Sequence, residues 1–143
     1  MEFTYEKKSI TLETAKKIME AVERKAKEIG VPMVIAVVDE GGNLKTLHRM
    51  DETPLFPLQV AQDKAYTAIG FGGASHRIYE FLKEDPGALA SIAARPRTTI
   101  FGGGYPIRID GQIVGAIGVA GGRVDQDMEC AKAGLEALKQ KEK

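Results

Sequence analysis

The stretch TTIFGGGYPIRIDGQIVGAIGVAGGR, residues 98–123, decides the fold. It holds three strand-like runs, Thr98 to Phe101, Tyr105 to Asp110 and Gln112 to Val119, parted by Gly102-Gly103-Gly104 and by Asp110-Gly111. An Asp-Gly pair between two such runs signals a tight hairpin, because that turn needs positive φ at its central residues. The three runs are therefore expected to form an antiparallel meander.

Upstream, Leu58 to Gly70 carries Val60, Ala61, Lys64, Ala65, Ala68 and Ile69 at helical spacing, after a proline-containing loop from Asp51 to Pro57. Gly72-Gly73 ends that helix. Ser75 to Leu82 reads as a short helix capped by Ser75 and interrupted before Pro86, and Ala88 to Ala93 adds a helical turn. Further out, Leu12, Ala15, Ile18, Val22, Ala26 and Ile29 mark a helix with one buried face. Thr11 is its expected cap, Gly30 its left-handed stop and Pro32 the block to continuation. Val31 to Val38 is rich in β-branched residues and reads as a strand buried on both faces. Asp39 to Asn43 turns the chain into a second strand, Leu44 to Met50. There Leu44, Thr46, His48 and Met50 face one way and Lys45, Leu47 and Arg49 the other. At the far end, Met128, Ala131, Leu135 and Leu138 return to helical spacing behind Asp125 as cap, with fraying expected after Leu138.

The order α-β-β-α-α-β-β-β-α implies an α/β chain of the segregated α+β kind, with an antiparallel five-stranded sheet and flanking helices. No repeat, linker or low-complexity stretch divides it, so residues 1–143 read as a single domain. Repeated parallel crossovers of the dinucleotide-binding type do not fit.

Composition narrows the function. Twenty Lys and Arg balance twenty Asp and Glu, so no net field draws the chain to nucleic acid or to an anionic membrane. Cys130 is the only cysteine, which excludes an internal disulfide and a cysteine-based zinc cluster and suits a reducing compartment. The first eight residues lack the apolar core of a signal peptide, and no apolar run nears the ~20 residues of a bilayer span. A cytoplasmic location is expected.

Chemistry points to the glycines. Phe101-Gly102-Gly103-Gly104-Tyr105-Pro106 and Gly118-Val119-Ala120-Gly121-Gly122-Arg123 each follow a strand-like run, and the second opens a helix. Glycine permits positive φ and close backbone approach, and a helix start presents free N–H groups to an anion such as a carboxylate. Tight turning and close sheet packing explain the same glycines without a ligand. Neither cluster matches a phosphate loop or a dinucleotide fingerprint. No Ser-His-Asp order, nucleophile elbow or metal-ligand spacing is present. Candidate iron ligands are His48, His76, Met50, Tyr66, Tyr105 and Cys130.

Several of these segments together resemble the GlcG/HbpS-like family. They are Ala36-Val37-Val38-Asp39-Glu40-Gly41-Gly42, Arg49-Met50-Asp51, Ala61-Gln62-Asp63-Lys64-Ala65-Tyr66-Thr67-Ala68, the Phe101 to Pro106 turn, and Gly115 to Gly122 with Gln126-Asp127. The resemblance runs from about Thr11 to Leu138. It implies a profilin-like fold, assembly as a homo-oligomer, and kinship with haem-binding proteins and with a domain fused to corrinoid adenosyltransferases. By it, Arg49, Asp51, Lys64, Phe101, Gly102, Gly103, Gly122, Gln126 and Asp127 are expected to line a pocket, with His48 as a candidate for haem iron. Arg49 would pair with a carboxylate or propionate, Lys64 would hold a second negative group, the glycines would offer amides, and Phe101 would supply an apolar wall.

Blander roles stand beside these. Arg49 and Asp51 can pair at the surface, Asp127 can serve the last helix as an N-terminal carboxylate, Lys64 can snorkel, and His48 can be an ordinary packed or surface residue. The expected function is binding of a small ligand, either haem, a related tetrapyrrole or a small carboxylate metabolite. The alternatives are an enzyme for a small hydroxy or oxo acid, with His48 or Asp51 as base, and an accessory oligomer subunit with a vestigial pocket.

Overall fold

The structure is a computed structural model that describes residues 2–139. Nine elements follow in the order α1 (Leu12–Ile29), β1 (Val34–Asp39), β2 (Leu44–Arg49), α2 (Pro57–Phe71), α3 (Arg77–Leu82), α4 (Pro86–Ala93), β3 (Gly104–Ile109), β4 (Gln112–Ala120) and α5 (Val124–Lys139). The expected fraying after Leu138 concerns residues 140–143, which lie outside the described residues, and α5 itself continues to Lys139.

Four strands form one antiparallel sheet in the order β2-β1-β4-β3. β1 alternates between two cores, as its β-branched run requires. Ile35 and Val37 join Ile18, Met19 and Val22 of α1, with Cys130 and Ala131 of α5, on one face. Val34, Ala36 and Val38 meet Ala61, Ala65 and Ala68 of α2 on the other. The local signals act as read for α1: Thr11 Oγ1 accepts the Thr14 N–H at 3.1 Å, and Gly30 stops the helix at φ 72°. Asp39 Oδ1 folds the β1–β2 turn by accepting from the N–H groups of Gly41 and Asn43.

The expected fifth strand is absent: Thr98 to Phe101 is a loop. Its backbone groups bond to hydroxyls instead of to a neighbouring strand. Thr67 Oγ1 accepts the Thr99 N–H and donates to Arg97 O. Ser75 Oγ donates to Phe101 O at 2.7 Å and accepts the Gly104 N–H at 3.0 Å. Ser75 is thereby occupied and does not cap α3, which starts at Arg77. A third middle helix, α4, is instead capped by Asp85, whose side chain accepts the Ala88 N–H. Asp125 likewise lies inside the first turn of α5, paired with Arg123, and is not its cap. Among the described residues no helix is long and apolar enough to cross a membrane.

α2 lies on the sheet with its backbone, through an alanine face and two strand glycines. A methyl group on Gly118 would collide with Ala61 O and stand 2.6 Å from Ala65 N, and one on Gly104 would collide with Lys64 O. Gly118→Ala is expected to cost about 3 kcal/mol or more, because backbone cannot give way to a side chain. Gly70→Ala, in α2 with nothing within 4 Å of the new carbon, is expected to gain about 0.5–1 kcal/mol. Urea unfolding of both variants checks the pair, and equal effects would refute the close approach.

Candidate functional site

The close seating of α2 carries Lys64 into the interior, where its side chain is fully buried. Its Nζ donates to Val119 O at 2.9 Å and to Asp127 Oδ2 at 2.8 Å, and stands 4.8 Å from the centre of the Phe101 ring. Asp127 Oδ1 accepts the Gly122 N–H at 2.9 Å, and Gln126 Oε1 accepts the Arg123 N–H at 2.9 Å, the reciprocal bond of a helix-capping box. The two glycine turns touch each other, since the Val119 N–H donates to Gly103 O at 3.0 Å.

Burial pushes the Lys64 ammonium below its usual range and the Asp127 carboxyl above its own, and their mutual contact opposes both shifts. Gly103 is held at φ 123°, and a methyl group there would sit 2.6 Å from Val119 O and 2.7 Å from Lys64 Nζ. The glycines thus make room for the chain's own lysine. The negative group at the Gly122 amide is Asp127, not an incoming anion. What remains is a cavity of about 180 Å³ bordered by Phe56, Phe101, Gly121 and Gly122 with Lys64 and Asp127.

The other expected site residues lie elsewhere. His48, Arg49 and Asp51 line a cleft of about 620 Å³ between α1 and the end of β2, together with Glu23, Lys27 and Met50. His48 Nδ1 contacts Glu23 Oε1 across it. Arg49 does not pair with Asp51; its guanidinium donates to Thr53 O at 3.3 Å. Met50 turns its sulfur to the Met33 N–H. Gly102 lines a third cavity with His76, and a methyl group on it would run into the Met128 side chain.

Of the remaining iron-ligand candidates, Tyr66 stacks under the Arg97 guanidinium at 3.7 Å. Burial raises the Tyr105 phenol above its usual range. Cys130 is a core residue whose thiol burial pushes up to about 11, which leaves little thiolate at neutral pH. Glu23 and Lys27 were missed from sequence because they sit on the polar side of a helix read only for its apolar face. The signal was their spacing of four residues on a helix ahead of a histidine-bearing hairpin.

Comparison with known proteins bears out the resemblance. The model of the family described as haem degrading protein HbpS-like matches residues 10–136. An uncharacterized 15.0 kDa protein from the dhaT-dhaS intergenic region of Citrobacter freundii is 41% identical over 133 residues, covering 91% of this chain and 92% of that protein. The crystal structure of Klebsiella pneumoniae protein ORFY superposes with a TM-score of 0.91 at 36% identity, over 97% of each chain. The crystal structure of a PduOC–haem complex superposes at 0.83 with 30% identity, over 90% of this chain and 94% of that one.

The Lys64–Asp127 pair has a direct test. Lys64→Met or Asp127→Asn alone strands a buried partner and is expected to cost about 3–5 kcal/mol. The double variant is expected to cost clearly less than the sum, measured by a urea double-mutant cycle. Strict additivity would refute the interaction.

Proposed function

The chain belongs to the HbpS-like family, and from that membership and the shape of the α1–β2 cleft we propose that it binds haem or a closely related tetrapyrrole there. The observation that carries the reading is the pairing of His48 Nδ1 with Glu23 on the wall of the 620 Å³ cleft. An iron-ligating histidine commonly gives one ring nitrogen to a carboxylate, which fixes the tautomer and leaves the other nitrogen for the metal. Here that arrangement leaves Nε2 as the ligating atom.

The cleft also supplies what a tetrapyrrole needs around its iron. Leu47 and Met50 offer apolar surface, while Arg49 and Lys27 offer cations for propionate groups, Arg49 with two parallel donors. The haem in the PduOC complex supports the same ligand class. Bound haem would supply an iron centre whose redox behaviour would be tuned by the residues that hold it. The chain's part is to orient His48 through Glu23 and to neutralise the propionates. The glycine-turn cavity is a poor competitor. It has less than a third of the cleft's volume, and a carboxylate entering it would have to displace Asp127 from Gly122.

The same reading includes a homo-oligomer of a cytoplasmic protein. Leu55, Phe56 and Phe81 stand 74%, 83% and 77% exposed, large apolar side chains that a second copy would cover. Sedimentation equilibrium is expected to give a multiple of the monomer mass.

Titration with ferric haem is expected to give a saturable Soret change at one haem per chain. His48→Ala should shift the band and weaken binding, and Glu23→Gln should weaken it about tenfold without unfolding. Arg49→Ala should weaken it less and leave the band in place. A folded protein with no saturable change, or a His48→Ala variant identical to the parent, would overturn the reading.

A further inference from the structure

The third cavity, of about 410 Å³, opens between the start of α3, the Phe101–Gly102 loop and the first turns of α5. Tyr79, Phe101, Val124 and Met128 wall it, with His76 and Glu80 as its polar members. Its size is that of a small-molecule site, and its apolar lining is two aromatic residues, the branched aliphatic residues Ile100 and Val124 and a thioether, a surface suited to a flat ring.

The polar groups say more. His76 Nδ1 and Tyr105 Oη are buried without a hydrogen-bond partner among the described residues, and the two rings meet edge-on with centres 6.1 Å apart. No side chain or backbone group among the described residues bonds the imidazole. Buried polar atoms are rarely left so, and an unpartnered one calls for a water or for a polar group of a ligand. Turning the His76 ring about its Cβ–Cγ axis towards the cavity costs Nδ1 no hydrogen bond. Charge narrows that molecule further: the cavity wall holds no Lys or Arg, and Glu80 at its edge already carries Lys83 at 3.0 Å. An anion finds no counter-charge here.

We propose that this cavity is a binding site, separate from the haem cleft, for a neutral aromatic molecule bearing one hydroxyl group, read by His76. Phe101 and Met128 hold the ring and the imidazole takes the hydroxyl. Gly102 belongs to the site by subtraction, since a side chain there would drive Met128 into the space.

The probes are 2-naphthol and, as its hydroxyl-free counterpart, naphthalene, measured by titration calorimetry and equilibrium dialysis on the whole chain. The expected result is saturable binding of 2-naphthol at one per chain, roughly tenfold tighter than naphthalene, the worth of one neutral hydrogen bond. His76→Phe should bring 2-naphthol down to the naphthalene level and leave naphthalene unchanged. Val124→Phe should abolish both by filling the cavity. Thermal unfolding of each variant guards against misfolding, with His76→Gln, which keeps a hydrogen-bonding side chain, in reserve to retain the preference. Prior loading with haem should leave 2-naphthol affinity unchanged, so the proposal stands or falls apart from the haem reading. Absence of saturable 2-naphthol binding, equal affinity for the two probes, indifference to His76→Phe or displacement by haem would each overturn it.

Discussion

Backbone pressed against backbone is the constraint on which the rest of this structure depends. α2 can rest on β3 and β4 only because Gly104 and Gly118 carry no side chain beneath it. Where α2 meets β3 and β4 that contact favours the small Ala61, Ala65 and Ala68 side chains, and Lys64 fits there because its long stem reaches towards the end of the strands, at Val119 O. An ammonium so deep needs a counter-charge, and Asp127 at the start of α5 supplies it. The carboxylate's second oxygen then reaches Gly122, and Gln126 beside it reaches Arg123. A helix-packing requirement thus ends as the hydrogen-bond pattern of a loop.

With the glycine turns closed from inside, larger spaces are found in the α1–β2 cleft and beside His76. The α1–β2 cleft is wide, open and charged on both sides, while the cavity at His76 is smaller and walled mainly by apolar groups. The two histidines differ in the same sense. His48 pairs with Glu23, and His76 has no hydrogen-bond partner among the described residues. One imidazole is paired with a carboxylate and the other is not. Phe101 belongs to two environments at once, over the Lys64 ammonium and along the wall of the His76 cavity. It separates the closed part of the molecule from the open part.

Local signals in the sequence carried most of the architecture. Thr11 and Gly30 bound α1, the Asp110-Gly111 turn joins β3 and β4, and the run ending at Val38 is buried on both faces because alternate residues feed two different cores. Thr98 to Phe101 misled for a reason no local pattern can show. The hydroxyls that take its hydrogen bonds come from Thr67 and Ser75, about 30 residues earlier in the chain. The site was legible in part. Lys64 stood out as a lone charge on an alanine face, and Gln126-Asp127 as polar residues after a glycine turn, but nothing in the sequence said that these two features would satisfy each other. Arg49 and His48 were grouped with them by resemblance and lie in a different cleft, because β2 is an edge strand whose far end, with the turn that follows it, borders α1 rather than the glycine turns.

The division of labour between a self-filled glycine site and an open histidine cleft is tested most directly by amide NMR of the whole chain during titration with gallium protoporphyrin, a diamagnetic stand-in for haem. The account predicts shifts concentrated at Glu23, Lys27 and Leu47 to Asp51, with Lys64, Gly121, Gly122 and Asp127 unmoved. Shifts concentrated at Phe101 to Gly104 and Gly121 to Asp127, with the α1–β2 cleft silent, would contradict it.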